Sequence, residues 1–204
     1  MKYIKPIIIL VLFSFFGCKD NEKSDNSNQI EENDLEKITD VAELEKLTRD
    51  LYKWIETESS IEDFVPLQKE KTDTIYTKLN LELNEKRVIE LINTNFFTKG
   101  FIENYKKIVL TIDQKMSNKT LVYYIGDLPP YGNDANPWCN CQDNPEDYWG
   151  KISLKNVKII NNKATYKWTW GNQFEYKVEA EKEKGVWKIS YLQGFDFKQF
   201  IPKE

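Results

Sequence analysis

Residues 151–192 read KISLKNVKIINNKATYKWTWGNQFEYKVEAEKEKGVWKISYL, and this stretch decides the fold. Ala164, Tyr166, Trp168 and Trp170 alternate with Thr165, Lys167 and Thr169. Successive side chains of an extended chain point to opposite faces, so the alternation predicts a half-buried strand. Phe174, Tyr176, Val178 and Ala180 repeat the pattern against Glu175, Lys177 and Glu179, and Trp187, Ile189 and Tyr191 close the series. Ile152, Leu154, Val157 and Ile159 open it, with a phase slip near Asn156 that predicts a bulge. Asn161-Asn162, Gly171-Asn172 and Lys184-Gly185 separate the runs and suit the positive backbone angles of tight hairpin turns. A four-stranded antiparallel meander with one apolar face requires a second layer to cover that face.

The covering layer is read upstream. Asp40-x-x-Glu43 fits a capping box, the expected start of the ordered domain, and Leu44, Leu47, Leu51, Trp54 and Ile55 follow on one helical face. Pro66 forbids continuation of that helix. A second helix is predicted from Asn84 as cap, through Val88, Leu91 and Ile92, to Phe96. After Thr98 a third places Phe101, Tyr105, Ile108 and Ile112 on one face. Thr120 to Ile125 reads as a strand, and residues 126–148, with four prolines and two glycines, as a long irregular loop. The expected class is α+β: N-terminal helices packed against a curved antiparallel sheet over residues 38–204.

A length of 204 residues with 40% apolar and 30% charged side chains allows one ordinary core and argues against a wholly disordered chain. The net charge of -4 leaves no basic excess for a phosphate backbone, so no nucleic-acid partner is expected. There is no histidine, which removes every His-dependent triad and His metal site. Three cysteines are too few for a disulfide scaffold, and no cofactor fingerprint occurs. No cofactor and no metal site are therefore expected.

Lys2 and Lys5 precede an apolar run from Ile7 to Phe16 that is far too short to span a bilayer, the layout of an export signal over residues 1–17. Ser14-Phe15-Phe16-Gly17-Cys18 resembles a bacterial lipobox, which implies acylation of Cys18, although Phe15 and Phe16 stand where that motif usually has Leu and a small residue. Lys19-Asp20-Asn21-Glu22 looks like the tag that sorts some lipoproteins to the outer face of the outer membrane, and a solvated linker is the alternative. Residues 18–37 are poor in apolar side chains and read as a disordered tether. The expected location is the cell envelope, lipid-anchored to the outer membrane.

Helices followed by a sheet ending in Gly185-Val186-Trp187-Lys188-Ile189 resemble the α+β cone of ketosteroid isomerase and nuclear transport factor relatives, above all uncharacterised cone domains of secreted bacterial lipoproteins. Phe96-Phe97-Thr98-Lys99-Gly100-Phe101-Ile102, Asp147-Tyr148-Trp149 and Asn162-Lys163-Ala164-Thr165 carry the rest of the likeness, over roughly residues 41–197. The resemblance implies a pocket at the open end of a cone. No catalytic Asp or Tyr of those enzymes maps onto this chain, and a cystatin-like sheet is the rival fold.

Tyr166, Trp168, Trp170, Phe174, Tyr176, Trp187 and Tyr191 can form an aromatic wall, read first as core packing and second as a ligand face. Cys139 and Cys141, in the long loop behind Trp138, most simply pair with each other in an oxidising compartment; a redox couple, an intermolecular bridge or a metal pair are alternatives. Asp127, Asp134, Asp143, Glu146 and Asp147 in the same region suit turns as well as acid–base chemistry. The candidate binding residues are Asp127, Tyr131, Trp138, Asp147, Tyr148, Trp149, Tyr166, Trp168, Trp170 and Tyr176. Two functions follow: a membrane-tethered, non-catalytic module for a small ligand or an envelope protein, or an enzyme using Asp127 or Asp147 as a pocket carboxylate among Tyr and Trp.

Overall fold

The computed structural model describes residues 25–201 apart from Asn172, with side chains from Lys37 onward. The predicted signal peptide, Cys18 and the first part of the tether lie outside the described residues. The chain divides into two units, Met1–Glu36 and Lys37–Glu204. Of the first, the described residues are the opening turns of helix α1, Asp25–Thr57.

In the second unit α1 is followed by three two-residue strands, β1 (Pro66–Leu67), β2 (Ile75–Tyr76) and β3 (Lys78–Leu79). Helices α2 (Leu81–Asn93) and α3 (Lys99–Ser117) come next, then β4 (Tyr123–Tyr124). The meander is β5 (Ser153–Ile160), β6 (Lys163–Thr169), β7 (Tyr176–Glu183) and β8 (Val186–Leu192), ahead of the short helix α4 (Phe197–Phe200). The four long strands pair antiparallel in chain order, while β1 pairs with β3 and β2 with β4. The class is α+β.

The sheet follows the alternation closely. Register slips between Lys155 and Lys158, where Asn156 adopts a φ of 55°, so the predicted bulge is present. A second irregularity lies between Glu179 and Ala180 of β7, which pair with Tyr191 and Ile189 of β8. The extra residue turns Tyr191 away from the wall it was expected to join, and Lys177 lies over its ring at 5.1 Å. The inner face of the sheet is filled: Tyr166, Trp168, Tyr176, Trp187 and Ile189 are all buried.

Two helix starts differ from expectation. Residues 25–37, expected in the tether, are helical; they contain no proline or glycine to stop a helix that continues into the core. Asp40 is therefore inside α1 and not its cap. Its carboxylate accepts from Trp187 Nε1 at 2.9 Å and pairs with Lys182 Nζ at 2.6 Å, both on the sheet. Likewise α2 is capped by Asn80, whose side chain accepts from the Leu83 amide, and Asn84 lies one turn inside. Helix α3 begins after Thr98 as expected, and the Thr98 side chain caps it by accepting from the Phe101 amide.

Leu44, Thr48, Leu51 and Tyr52 form the buried face of α1, a slight rotation from the predicted stripe, with Leu47, Trp54 and Ile55 at its margin. The Thr48 and Tyr166 hydroxyls meet at 2.9 Å, and the Arg49 guanidinium donates twice to the Ile152 carbonyl, tying helix to sheet. From α3, Phe101, Tyr105, Ile108 and Ile112 are buried as their spacing predicted. Every described core residue lies between Leu44 and Phe200, so the unit Lys37–Glu204 carries a complete core of its own.

Candidate functional site

The long loop after β4 is irregular in backbone but fixed in place, because buried tyrosines reach it from several elements. Tyr52 OH on α1 donates to the Trp138 carbonyl at 2.6 Å and itself accepts from Trp168 Nε1 at 3.0 Å. Tyr176 OH on β7 donates to the Pro137 carbonyl at 2.7 Å and accepts from the Gly194 amide at 2.8 Å. Gly194 is required there: a Cβ would stand 2.0 Å from the Pro137 oxygen. Tyr131 OH donates to the Phe64 carbonyl at 3.2 Å, and Tyr148 OH to Glu56 Oε1 at 2.9 Å. Three of these tyrosine hydroxyls thus satisfy the carbonyls of Trp138, Pro137 and Phe64, and the fourth a carboxylate.

Cys139 and Cys141 form a disulfide with Cα atoms 5.1 Å apart. The Asn136 amide donates to the Cys141 carbonyl at 2.9 Å, and Asn136 Oδ1 accepts from the Trp138 amide at 3.0 Å. These contacts close a compact turn with Trp138 buried beneath it.

Trp138 leads to a charged centre that pattern reading missed. Its Nε1 donates to Asp63 Oδ2 at 2.7 Å. Arg87 Nε and Nη2 donate to Asp63 Oδ1 and Oδ2 at 2.9 and 3.2 Å, and Tyr105 OH donates to Oδ1 at 2.6 Å. Four donors therefore fill the two carboxylate oxygens. The other side of the guanidinium pairs with Glu90 at 2.7 Å and contacts Ser59 Oγ. Trp54 and Trp138 lie 5.3 and 5.4 Å from its carbon, so the cation is held between two rings. Burial penalises the charged guanidinium, but Asp63 and Glu90 more than offset this and raise its pKa. Burial, reinforced by Asp63, keeps the Tyr105 hydroxyl protonated far above its usual range.

Beside this centre opens a cleft of about 680 Å³. Asp63, Tyr131, Trp138 and Phe200 contribute to its wall, and Glu62, Asp134 and Gln142 stand around it as exposed polar groups. Tyr131 and Phe200 stack with centroids 5.9 Å apart, which fixes the aromatic part of the wall. A preformed recess with an aromatic wall and a polar rim suits binding. Proton transfer is poorly served, since every acceptor position of Asp63 is already occupied.

The candidate residues divide accordingly. Tyr131 and Trp138 line the cleft. Tyr148 is buried against Tyr52 and stacks near Trp168, with Trp149 half-buried beside it. Tyr166, Trp168 and Tyr176 are buried in the sheet core, where no ligand reaches them, and Trp170 stacks on Phe174 at 3.7 Å. In the folded chain these four side chains serve packing and loop support, the first of the two readings of the aromatic wall. Asp127 and Asp147 are exposed and line none of the described recesses; Asp147 serves a turn with a φ of 53°. Asp63 and Arg87 carried no signal, because 24 residues separate them and neither sits in a motif. Arg87 on the apolar side of α2, level with Val88 and Leu91, was the one available hint.

Comparison with family models, with curated proteins and with solved structures finds no match. The site is therefore read from its own geometry.

Proposed function

We propose that this chain is an envelope lipoprotein, acylated at Cys18 and held to the outer membrane, whose folded unit binds a small ligand or an envelope protein without transforming it. In this reading the unit is a variant of the α+β cone named above, with its interior packed shut. The supporting observation is the cleft beside Trp138: its wall is preorganised by hydroxyl-pinned loop carbonyls, and its half-buried acid, Asp63, is saturated with donors. Preorganisation lowers the ordering cost of binding. The filled inner sheet moves the working surface from the cone interior to this loop.

Two measurements test the reading. Cys18→Ser should abolish incorporation of labelled acyl chains and release the chain from the membrane fraction; an unlabelled wild-type chain overturns the anchor. A photo-cross-linking side chain at Gln142 should capture a ligand or partner in envelope fractions, while one at Lys163, on the opposite hairpin of the meander, should not. Equal capture from both positions rejects the cleft. Turnover by the purified chain that disappears in Asp127→Asn or Asp147→Asn establishes the enzyme instead.

A further inference from the structure

Helices α2 and α3 pack side by side and leave a groove of about 440 Å³ between them that shares no residue with the cleft. Ile89, Ile92 and Leu110 on its walls are 57%, 52% and 59% exposed. Most large apolar side chains of the unit are withdrawn into the core, whereas these three stay exposed along two neighbouring helices.

Two polar observations say what would cover it. At the groove, Asn84 is 3% exposed, and its Oδ1 is shielded from solvent without a hydrogen-bond partner among the described residues. Turning the amide over does not help: Nδ2 already donates to the Asn80 carbonyl at 2.8 Å, and the exchanged oxygen would face another oxygen. The groove is therefore short of one donor. Its rims carry Glu85 on α2 and Lys106 on α3, and neither makes an ion pair among the described residues. Neighbouring surface charges on both helices are matched, Lys86 with Glu82 and Lys99 with Glu103.

We propose that this groove is covered by a second copy of the same chain. A two-fold axis running along the groove lays α2 of one copy over α3 of the other. The same operation sets each Glu85 against the other copy's Lys106, twice, and brings that ammonium above the turn of α2 holding Asn84. After a small side-chain adjustment, Lys106 supplies the donor that Asn84 Oδ1 lacks, and the apolar walls close on each other. One acidic and one basic rim make the surface self-complementary. Helices of 13 and 19 residues share a face of about 20 by 20 Å, so covering it on both copies buries on the order of 1,000 Å². Interfaces of that size are reversible and concentration-dependent.

Sedimentation equilibrium of the full chain in mild detergent, and of residues 37–204 without it, tests the proposal. A monomer–dimer equilibrium is expected in both. Ile89→Asp and Leu110→Asp should each raise the dimer dissociation constant at least about tenfold. Glu85→Lys or Lys106→Glu alone should raise it roughly two- to fivefold, and the double reversal should return it to within about twofold of wild type. Circular dichroism and the thermal midpoint check that each variant stays folded. A monomer at every concentration overturns the proposal, as does a dimer indifferent to these four positions. Binding of the monomer to lipid vesicles through Ile89 and Leu110 overturns it too, by assigning the groove to a membrane.

Discussion

Asp63 and Asn84 both bring side-chain acceptors into the protein, and the molecule treats them differently. At Asp63, donors from Arg87, Tyr105 and Trp138 use every acceptor position, whereas Asn84 Oδ1 receives nothing. The first centre ties α2, α3 and the long loop to one carboxylate. The second lies beneath an apolar groove, where no donor among the described residues reaches it. A saturated polar centre is a structural joint. An unsaturated one marks where the isolated chain is incomplete, because a buried polar group without a partner carries a desolvation cost with no return.

The largest effect expected of the buried hydroxyls, Tyr105 of the saturated centre among them, comes from alkali. Burial raises Tyr52, Tyr105, Tyr148, Tyr166 and Tyr176, and burial with the nearby Asp196 pushes Tyr191 up to about 12. An unfolded chain releases these protons near pH 10, while the folded chain keeps them. The stability they provide is thus complete below about pH 10 and drains as pH rises through the folded values. Tyrosinate absorbance should appear in one cooperative step together with the loss of circular dichroism. A gradual titration of the fully buried tyrosines in a chain that stays folded breaks the picture of a rigid joint.

Next in size, Arg87→Met should cost about 3–5 kcal/mol in chemical denaturation, since it strands Asp63 and Glu90 without their cation. Tyr176→Phe should cost about 1–3 kcal/mol, because the Pro137 carbonyl and the Gly194 amide both lose a partner. Hydrogen exchange at Gly194 should speed up in that variant while the β5–β6 amides hold. The smallest change is the one that sharpens the contrast. Asn84→Leu removes the orphan oxygen and its one hydrogen bond together, and should alter stability by less than about 1 kcal/mol. A loss at Asn84 as large as that at Arg87 would erase the distinction between the two centres.

Legibility followed the range of the physics. Alternation and turn residues are local signals, so the four long strands, the bulge at Asn156 and the start of α3 after Thr98 could be read from neighbouring residues. Helix α2 was legible but its cap was not, because Asn80 and Asn84 are equally good capping residues and only the fold selects between them. The small strands at Pro66–Leu67 and Lys78–Leu79 are too short to show a period. Trp138 was singled out by its place beside the cysteines, whereas its partner Asp63 lies 75 residues away and nothing local announces it. The second irregularity, which turns Tyr191 outward, likewise depends on how β7 and β8 meet.

The grip of Asp40 on Lys182 and Trp187 has a mechanical consequence. A pull on the amino-terminal side of the folded unit is carried along α1 to this residue. There α1 is fastened sideways to β7 and β8, and further along by Thr48 to β6 and by Arg49 to Ile152. Tension therefore spreads across several strands loaded together and does not peel the helix away turn by turn. A domain fastened in this way keeps its loop and cleft in register while its leading end is under strain.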